Sequence, residues 1–473
     1  PTSAAAPTTS DSLAPHAAPS VTVDSSPESN RDPWPETDLA SPLRLGGVLT
    51  YGFGIAGSMW IGAYILHIPV AASAINEAYA AGVFFFLLAL LFGGSVLAGR
   101  SMRPGWQAGF GAGLTASLLN LIVLFGLLGG TSPDYVRADM KWILLGTVLI
   151  GSIMGAAGGL LGGRFPRTRI APPNWLGGFA TVTAFIVLAM LGIGGTVTSL
   201  EEGLAVPDWP ATEGYLMVLY PLSKMTGGIY HEHAHRLFGL LVGASTLTLA
   251  IYVWVVRARA GSIFGRKESS HRDARPAAGG LDEFGAGTDV RAEGGASRSV
   301  RPGRGARSGP WLSWLAGAAL LLVIVQGILG GVRVTEAVHR GEDARGWAQA
   351  VEAQGYAPSF QTIDAVFAVA HGVLGQLFFA LIVGLAAVTT WRWQTAPAPT
   401  PVVGGHRDRR LAIILFIFLA VQVILGALLR HMGVMLHLHI FLGVLAGFFA
   451  MIVGYRAQGL RKEIPLLRRL GAS

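Results

Sequence analysis

The chain has 473 residues, of which 52% are hydrophobic and 13% charged, with a formal net charge of +8 and no cysteine. Apolar runs longer than about 18 residues recur along it, which excludes a soluble multidomain protein and marks a polytopic helical membrane protein. The positive charge sits in short segments beside those runs, where membrane topology rather than nucleic acid calls for it, and the absence of thiols excludes disulfides, thiolate ligands and iron–sulfur clusters.

In chain order, residues 1–44 are rich in Pro, Ser, Ala and Thr, contain no apolar stretch, and read as a disordered cytoplasmic tail. Ten transmembrane spans are predicted, at about 45–68, 79–99, 106–130, 142–163, 175–198, 233–256, 312–334, 364–390, 410–430 and 436–455, so the fold class is all-α. The first four form a block over 45–165 whose Gly, Ala and Leu content fits close packing on small residues; only His67 stands out there. Residues 175–257 form a hairpin, and the Gly/Arg/Ala-rich stretch 258–310 lacks periodicity and reads as a disordered cytoplasmic linker. Residues 311–456 carry the last four spans, and 457–473 a basic cytoplasmic tail. Basic residues follow each even-numbered span, among them Arg100, Arg164, Arg257, Arg392 and Arg456, whereas Glu77, Asp134, Glu201, Glu202, Asp208 and Glu336 lie in the opposite loops. The positive-inside rule therefore puts both termini in the cytoplasm and predicts a multi-pass protein of the inner (cytoplasmic) membrane.

The segment from Tyr230 to Gly239, Tyr-His-Glu-His-Ala-His-Arg-Leu-Phe-Gly, opens the sixth span with three imidazoles, a carboxylate and a guanidinium. Ionisable groups at a membrane boundary cost several kcal/mol without a task, so a metal or redox cofactor is expected here. Helical geometry puts Glu232 and His235 on one face, and His231 with His235; His233 points elsewhere. The eighth and tenth spans run in the same direction and carry His371, and His437 with His439, at similar depth. Imidazoles offered by neighbouring helices at one height suit the two axial positions of a haem iron, giving a haem-binding helix bundle in the C-terminal part. A zinc site built from His231, His233, His235 and Glu232 is the rival, although no His-Glu-x-x-His pattern occurs. A weak repeat supports a common plan, because the outward fifth, seventh and ninth spans end in Leu191-Gly-Ile-Gly-Gly195, Gln326-Gly-Ile-Leu-Gly-Gly331 and Gln422-Val-Ile-Leu-Gly426. Each is followed by an inward span with a histidine near its start.

Taken together, Gly194-Gly-Thr-Val-Thr198, Gly203-Leu-Ala-Val-Pro-Asp-Trp-Pro210, Glu232-x-x-His235-Arg236 and Gln326-x-x-Leu-Gly-Gly331 make residues 175–456 resemble the haem A synthase family. The resemblance implies an integral membrane oxidoreductase that converts haem O to haem A, a methyl to a formyl group, for terminal oxidase biogenesis. It implies His235 and His371 as axial ligands of the haem iron and Glu232 as the acidic residue of turnover. Arg236, His437 and His439 are further candidate cofactor contacts. It also implies haem b as cofactor with haem O as substrate, and a haem O synthase and a terminal oxidase as partners. Typical members have eight spans in two halves with two ligating histidines each; here the second half is expected to lack its last hairpin. Val206 stands where many bacterial members have a cysteine, and the first four spans have no counterpart. A b-type electron carrier would share every histidine and leave Glu232 without a duty, and an assembly factor would carry no haem at all.

Overall fold

The computed structural model describes residues 42–67, 77–166, 174–272, 311–339, 362–390, 393 and 404–460. Ten helices among them are long and apolar enough to cross a membrane, matching the ten expected spans and making the chain an all-α multi-pass membrane protein. They are α1 (Pro42–His67), α2 (Glu77–Ser101), α3 (Gly105–Leu124), α4 (Lys141–Arg164), α5 (Trp175–Ser199), α6 (Gly227–Arg272), α7 (Trp311–His339), α8 (Thr362–Thr389), α9 (Gly405–Met432) and α10 (Leu436–Tyr455). The expected tails 1–44 and 457–473 lie almost wholly outside the described residues. Helix α6 runs on past residue 257 to Arg272, into the stretch expected as a linker. Residues 273–310 lie outside the described set.

In the first four helices glycine sets the contacts. A Cβ on Gly109 would sit 2.2 Å from the Gly155 carbonyl oxygen, and one on Gly159 2.3 Å from that of Gly105, so α3 and α4 touch backbone to backbone. These helices are not separate from the rest. From α1, Phe53 meets Phe179 of α5 edge-on at 5.2 Å, and Trp60 meets Phe238 of α6 at 5.4 Å. One apolar core thus runs through α1, α5, α6, α7 and α8, with Phe179, Ile186, Leu241, Leu249, Ile382 and Leu385 fully buried. The hairpin α9–α10 is peripheral: each helix buries 6% of its apolar window against 44% for α6, and Phe416, Phe441, Val444 and Met451 face outward, as lipid contact requires.

Between α5 and α6, residues 200–226 fold into a cap. Its centre is a two-stranded ribbon, Ala211–Thr212 against Tyr215–Leu216, which the sequence did not suggest. Glu213 and Gly214, both with positive φ, make the tight turn that such a ribbon needs, and the Asp208 carboxylate accepts both of their amide hydrogens at 2.7 Å. The cap rests on the end of α3, where the Tyr215 hydroxyl donates to the Gly130 carbonyl at 3.2 Å.

Candidate functional site

The sequence motif Gly203–Pro210 forms the part of the cap that binds α6 to α7. Glu232, 3% exposed, accepts from the Val206 amide at 2.7 Å and from Arg236 at 2.6 Å. Arg236 spends its remaining donors on the cap, reaching the carbonyls of Val206, Asp208 and Ala211 at 2.9, 2.7 and 2.9 Å. Position 206 therefore acts through its backbone, which is why a valine serves there as well as another side chain. Trp209 lies flat against α7, where a Cβ on Gly331 would run into its indole at 2.2 Å. His233 is also in the cap's service: it is 1% exposed, within 3.2 Å of the Thr212 hydroxyl, and packed on the Tyr220 ring. Burial, then the neighbouring Glu213 carboxylate, push the Tyr220 phenol well above its usual range, so it stays protonated and donates to Glu213 at 3.0 Å.

Beneath this cap the rings of His235 and His371 face each other, with centroids 6.5 Å apart and planes at 76°. Each Nδ1 is buried and has no hydrogen-bond partner among the described residues. Each ring is seated on a glycine of the preceding helix in its own hairpin: a Cβ on Gly194 would lie 2.8 Å from His235 Cε1, and one on Gly330 3.3 Å from His371 Cε1. His439 repeats the arrangement, with its Nδ1 buried and unpartnered and its Cε1 3.4 Å from a Cβ on Gly426. A second contact completes the repeat. The Gln326 amide donates to the His371 carbonyl at 3.1 Å, and the Gln422 amide to the His439 carbonyl at 2.8 Å. These glutamines also lie over Gly375 and Gly443, one turn after the histidines, as Met190 lies over Gly239 in the first hairpin.

The spacing of the pair has a chemical meaning. Two metal–nitrogen bonds of about 2 Å, with about 1 Å from each ligating nitrogen to its ring centre, add to about 6 Å. The 6.5 Å between the ring centroids is close to that sum. No group of three His, Cys, Asp or Glu side chains that could hold an ion occurs among the described residues, so an ion here needs donors from elsewhere. A tetrapyrrole brings four of its own.

The predicted residues thus divide. His235 and His371 come together, Glu232 and Arg236 stand beside them as a clamp on the cap, and His439 occupies the equivalent seat in the last hairpin. His437 is exposed on α10, away from that seat. His231 pairs with α1 instead of forming the zinc cluster. Sequence reasoning passed over Arg333 of α7, whose guanidinium lies against Gly203 and whose charge reaches Glu232, His235 and His371. Its place right after Gly330-Gly331 was the available signal. An apolar groove lined by Gly239, Gly243, Leu247, Val323 and Gly327 opens between α6 and α7, beginning one turn beyond His235.

Compared with known families, residues 177–450 match the COX15-CtaA model, described as cytochrome oxidase assembly protein. No curated protein and no solved structure matches the chain.

Proposed function

The chain belongs to the COX15-CtaA family of cytochrome oxidase assembly proteins, and on that premise we propose that it is an oxidoreductase of haem A synthesis that converts the haem O methyl group to a formyl group. The observation that carries this reading is the pair of half-buried imidazoles with centroids 6.5 Å apart, each with a buried Nδ1 that has no hydrogen-bond partner among the described residues. His235 and His371 would hold the iron from either side, with haem b or haem O as the bound group, and the haem supplies the redox chemistry when bound. The protein's own part is placement. Gly194 and Gly330 set the attitude of the two rings, and Gln326 fixes the backbone at His371. Arg333 puts a cation where the carboxylates of a haem are to be held, and the groove beyond His235 gives apolar room. Glu232 and Arg236 keep the cap closed over the pair, excluding water, and Glu232, one helical turn before His235, is a carboxylate able to stabilise charge released by oxidation of a methyl carbon. His439, and beside it His437, belong to a further candidate site in the last hairpin. In this reading the cap lies on the outer side of the inner membrane, both termini are cytoplasmic, and a haem O synthase and a terminal oxidase are the partners.

The test is co-expression with a haem O synthase, followed by pigment extraction. Haem A is expected from the parent chain, and a Glu232→Gln variant should retain bound haem while haem A falls about tenfold or more. Undiminished haem A in that variant removes Glu232 from turnover. One observation favours a second reading, a b-type electron carrier: the Glu232 carboxylate is already engaged by Arg236 and Val206. That reading predicts unchanged redox spectra in Glu232→Gln and no haem A from the parent chain. The seats are tested separately. Gly194→Val should push the His235 ring aside and strip haem absorbance, whereas Gly195→Val, whose Cβ meets nothing within 4 Å, should leave the Soret band intact.

A further inference from the structure

The end of α1 reaches the site from outside the family-matched region, which begins at residue 177. Tyr64 is 8% exposed, and its hydroxyl lies 2.9 Å from His231 Nδ1. Its ring stacks on Tyr230 with centroids 5.5 Å apart and planes at 8°, and the Tyr230 hydroxyl donates to the Tyr64 carbonyl at 2.8 Å. Two aromatic rings and two hydrogen bonds therefore fix where the His231 imidazole points. His231 stands one helical turn before His235 on the same face of α6. Its other nitrogen, Nε2, is 4.0 Å from Glu202 Oε2, an oxygen that is buried and has no hydrogen-bond partner among the described residues. A carboxylate oxygen kept from water and left unpaired is costly, and the imidazole is the group that faces it.

We propose that Tyr64, His231 and Glu202 form a proton-accepting arm of the His235–His371 site, with His231 as the group that takes up the proton and Tyr64 as its positioning residue. This rests on the reading of that pair as a haem site. In the neutral arm the Tyr64 hydroxyl donates to Nδ1, which leaves the hydrogen on Nε2, directed at Glu202. When a proton arrives at Nδ1, the hydroxyl rotates to accept from it, and the imidazolium is held by the Glu202 carboxylate. A phenol suits this post because it donates in one state and accepts in the other. The balance is simple: reduction of a bound haem by one electron from a redox mediator would be matched by one proton taken from water onto His231, and reoxidation would return it. Oxidation of a methyl group to a hydroxymethyl group with oxygen from water gives up two electrons to an external electron acceptor and two protons, so a site for such chemistry needs a proton acceptor nearby. Other ionisable groups around His231 are Tyr230 and His235 on α6, His67 on α1, which lies 6.4 Å from the Tyr230 ring, and Arg333 of α7 against Gly203.

The experiment is a redox titration of the haem in the purified full-length protein over a range of pH. In the parent chain the midpoint potential should fall as pH rises, since reduction carries a proton with it. His231→Gln can keep the hydrogen bond with the Tyr64 hydroxyl but takes up no proton, so the slope should flatten while the Soret band persists. A purely structural role for His231 predicts that Gln preserves the slope, and that outcome overturns the proposal. Tyr64→Phe should weaken the slope, and so should Glu202→Gln, which decides the matter if His231→Gln fails to hold haem. Slopes equal to the parent's in these variants, or a parent chain without a slope, overturn the arm. Absence of haem A from the parent pigments with the slope present overturns the oxidase reading and leaves the arm standing.

Discussion

A His371→Ala protein is expected to lose at least about tenfold in haem occupancy, a loss typical of weakened metal ligation, and what remains should change from a low-spin to a high-spin spectrum. The reason lies in the pairing. His235 and His371 come from different hairpins, α5–α6 and α7–α8, and both rings would be needed to hold a haem between them. Deleting one leaves the other seated on its glycine with nothing opposite. His437→Ala is the matched control, since that side chain is exposed on α10 and should leave the spectrum of the pair unchanged. A pyridine haemochrome assay on purified protein, referred to protein concentration, reads both. Occupancy in His371→Ala equal to the parent's would remove the pair from haem ligation.

The second large effect is expected at Arg236. Its side chain is 9% exposed, that of Glu232 is 4%, and the two are 2.6 Å apart, so Arg236→Met leaves a carboxylate buried with the Val206 amide as its remaining partner. Removing one member of a buried pair costs about 3–5 kcal/mol, and three cap carbonyls lose their donor as well. The thermal midpoint in detergent should drop accordingly. Removing both charges, in Glu232→Leu with Arg236→Met, should restore part of the loss, because no uncompensated ion remains. Haem A should not return with it. Additive losses in the double variant would show that the two side chains do not act as a pair.

The chain's letters made the helices legible, since about twenty apolar residues in a row leave a membrane protein few alternatives. The histidines of α6 and α8 could be placed at one depth for the same reason: span direction alternates, and each ring lies near the start of an even-numbered span. What escaped was everything fixed across helices. Arg236 was legible only as the residue after His235 in the Glu-x-x-His-Arg motif; its bonds to three cap carbonyls were not, because only the folded loop brings those oxygens near. Gly194, Gly330 and Gly426 were visible as a small-residue repeat, but their service as seats for imidazoles depends on how α5 packs on α6, α7 on α8 and α9 on α10. His231 counted toward a zinc cluster on spacing alone, whereas its partner Tyr64 lies in a helix more than 160 positions earlier in the chain. Hydropathy windows also began α6 at 233, because they discount a polar first turn; under the cap those polar groups find partners and the helix starts at Gly227.

One consequence follows from where the ring seats are built. In all three hairpins the glycine beneath the imidazole belongs to the immediately preceding helix, and in two of them so does the glutamine that grips the histidine's own backbone. Ligand orientation is therefore a local property, written into each antiparallel couple and indifferent to the company it keeps. Juxtaposition of one couple with another is a separate matter, decided by how the couples dock. A polypeptide made this way can add, lose or rearrange such couples without redesigning any of them, and the number of facing ring pairs it presents will follow the docked couples, not the count of histidines.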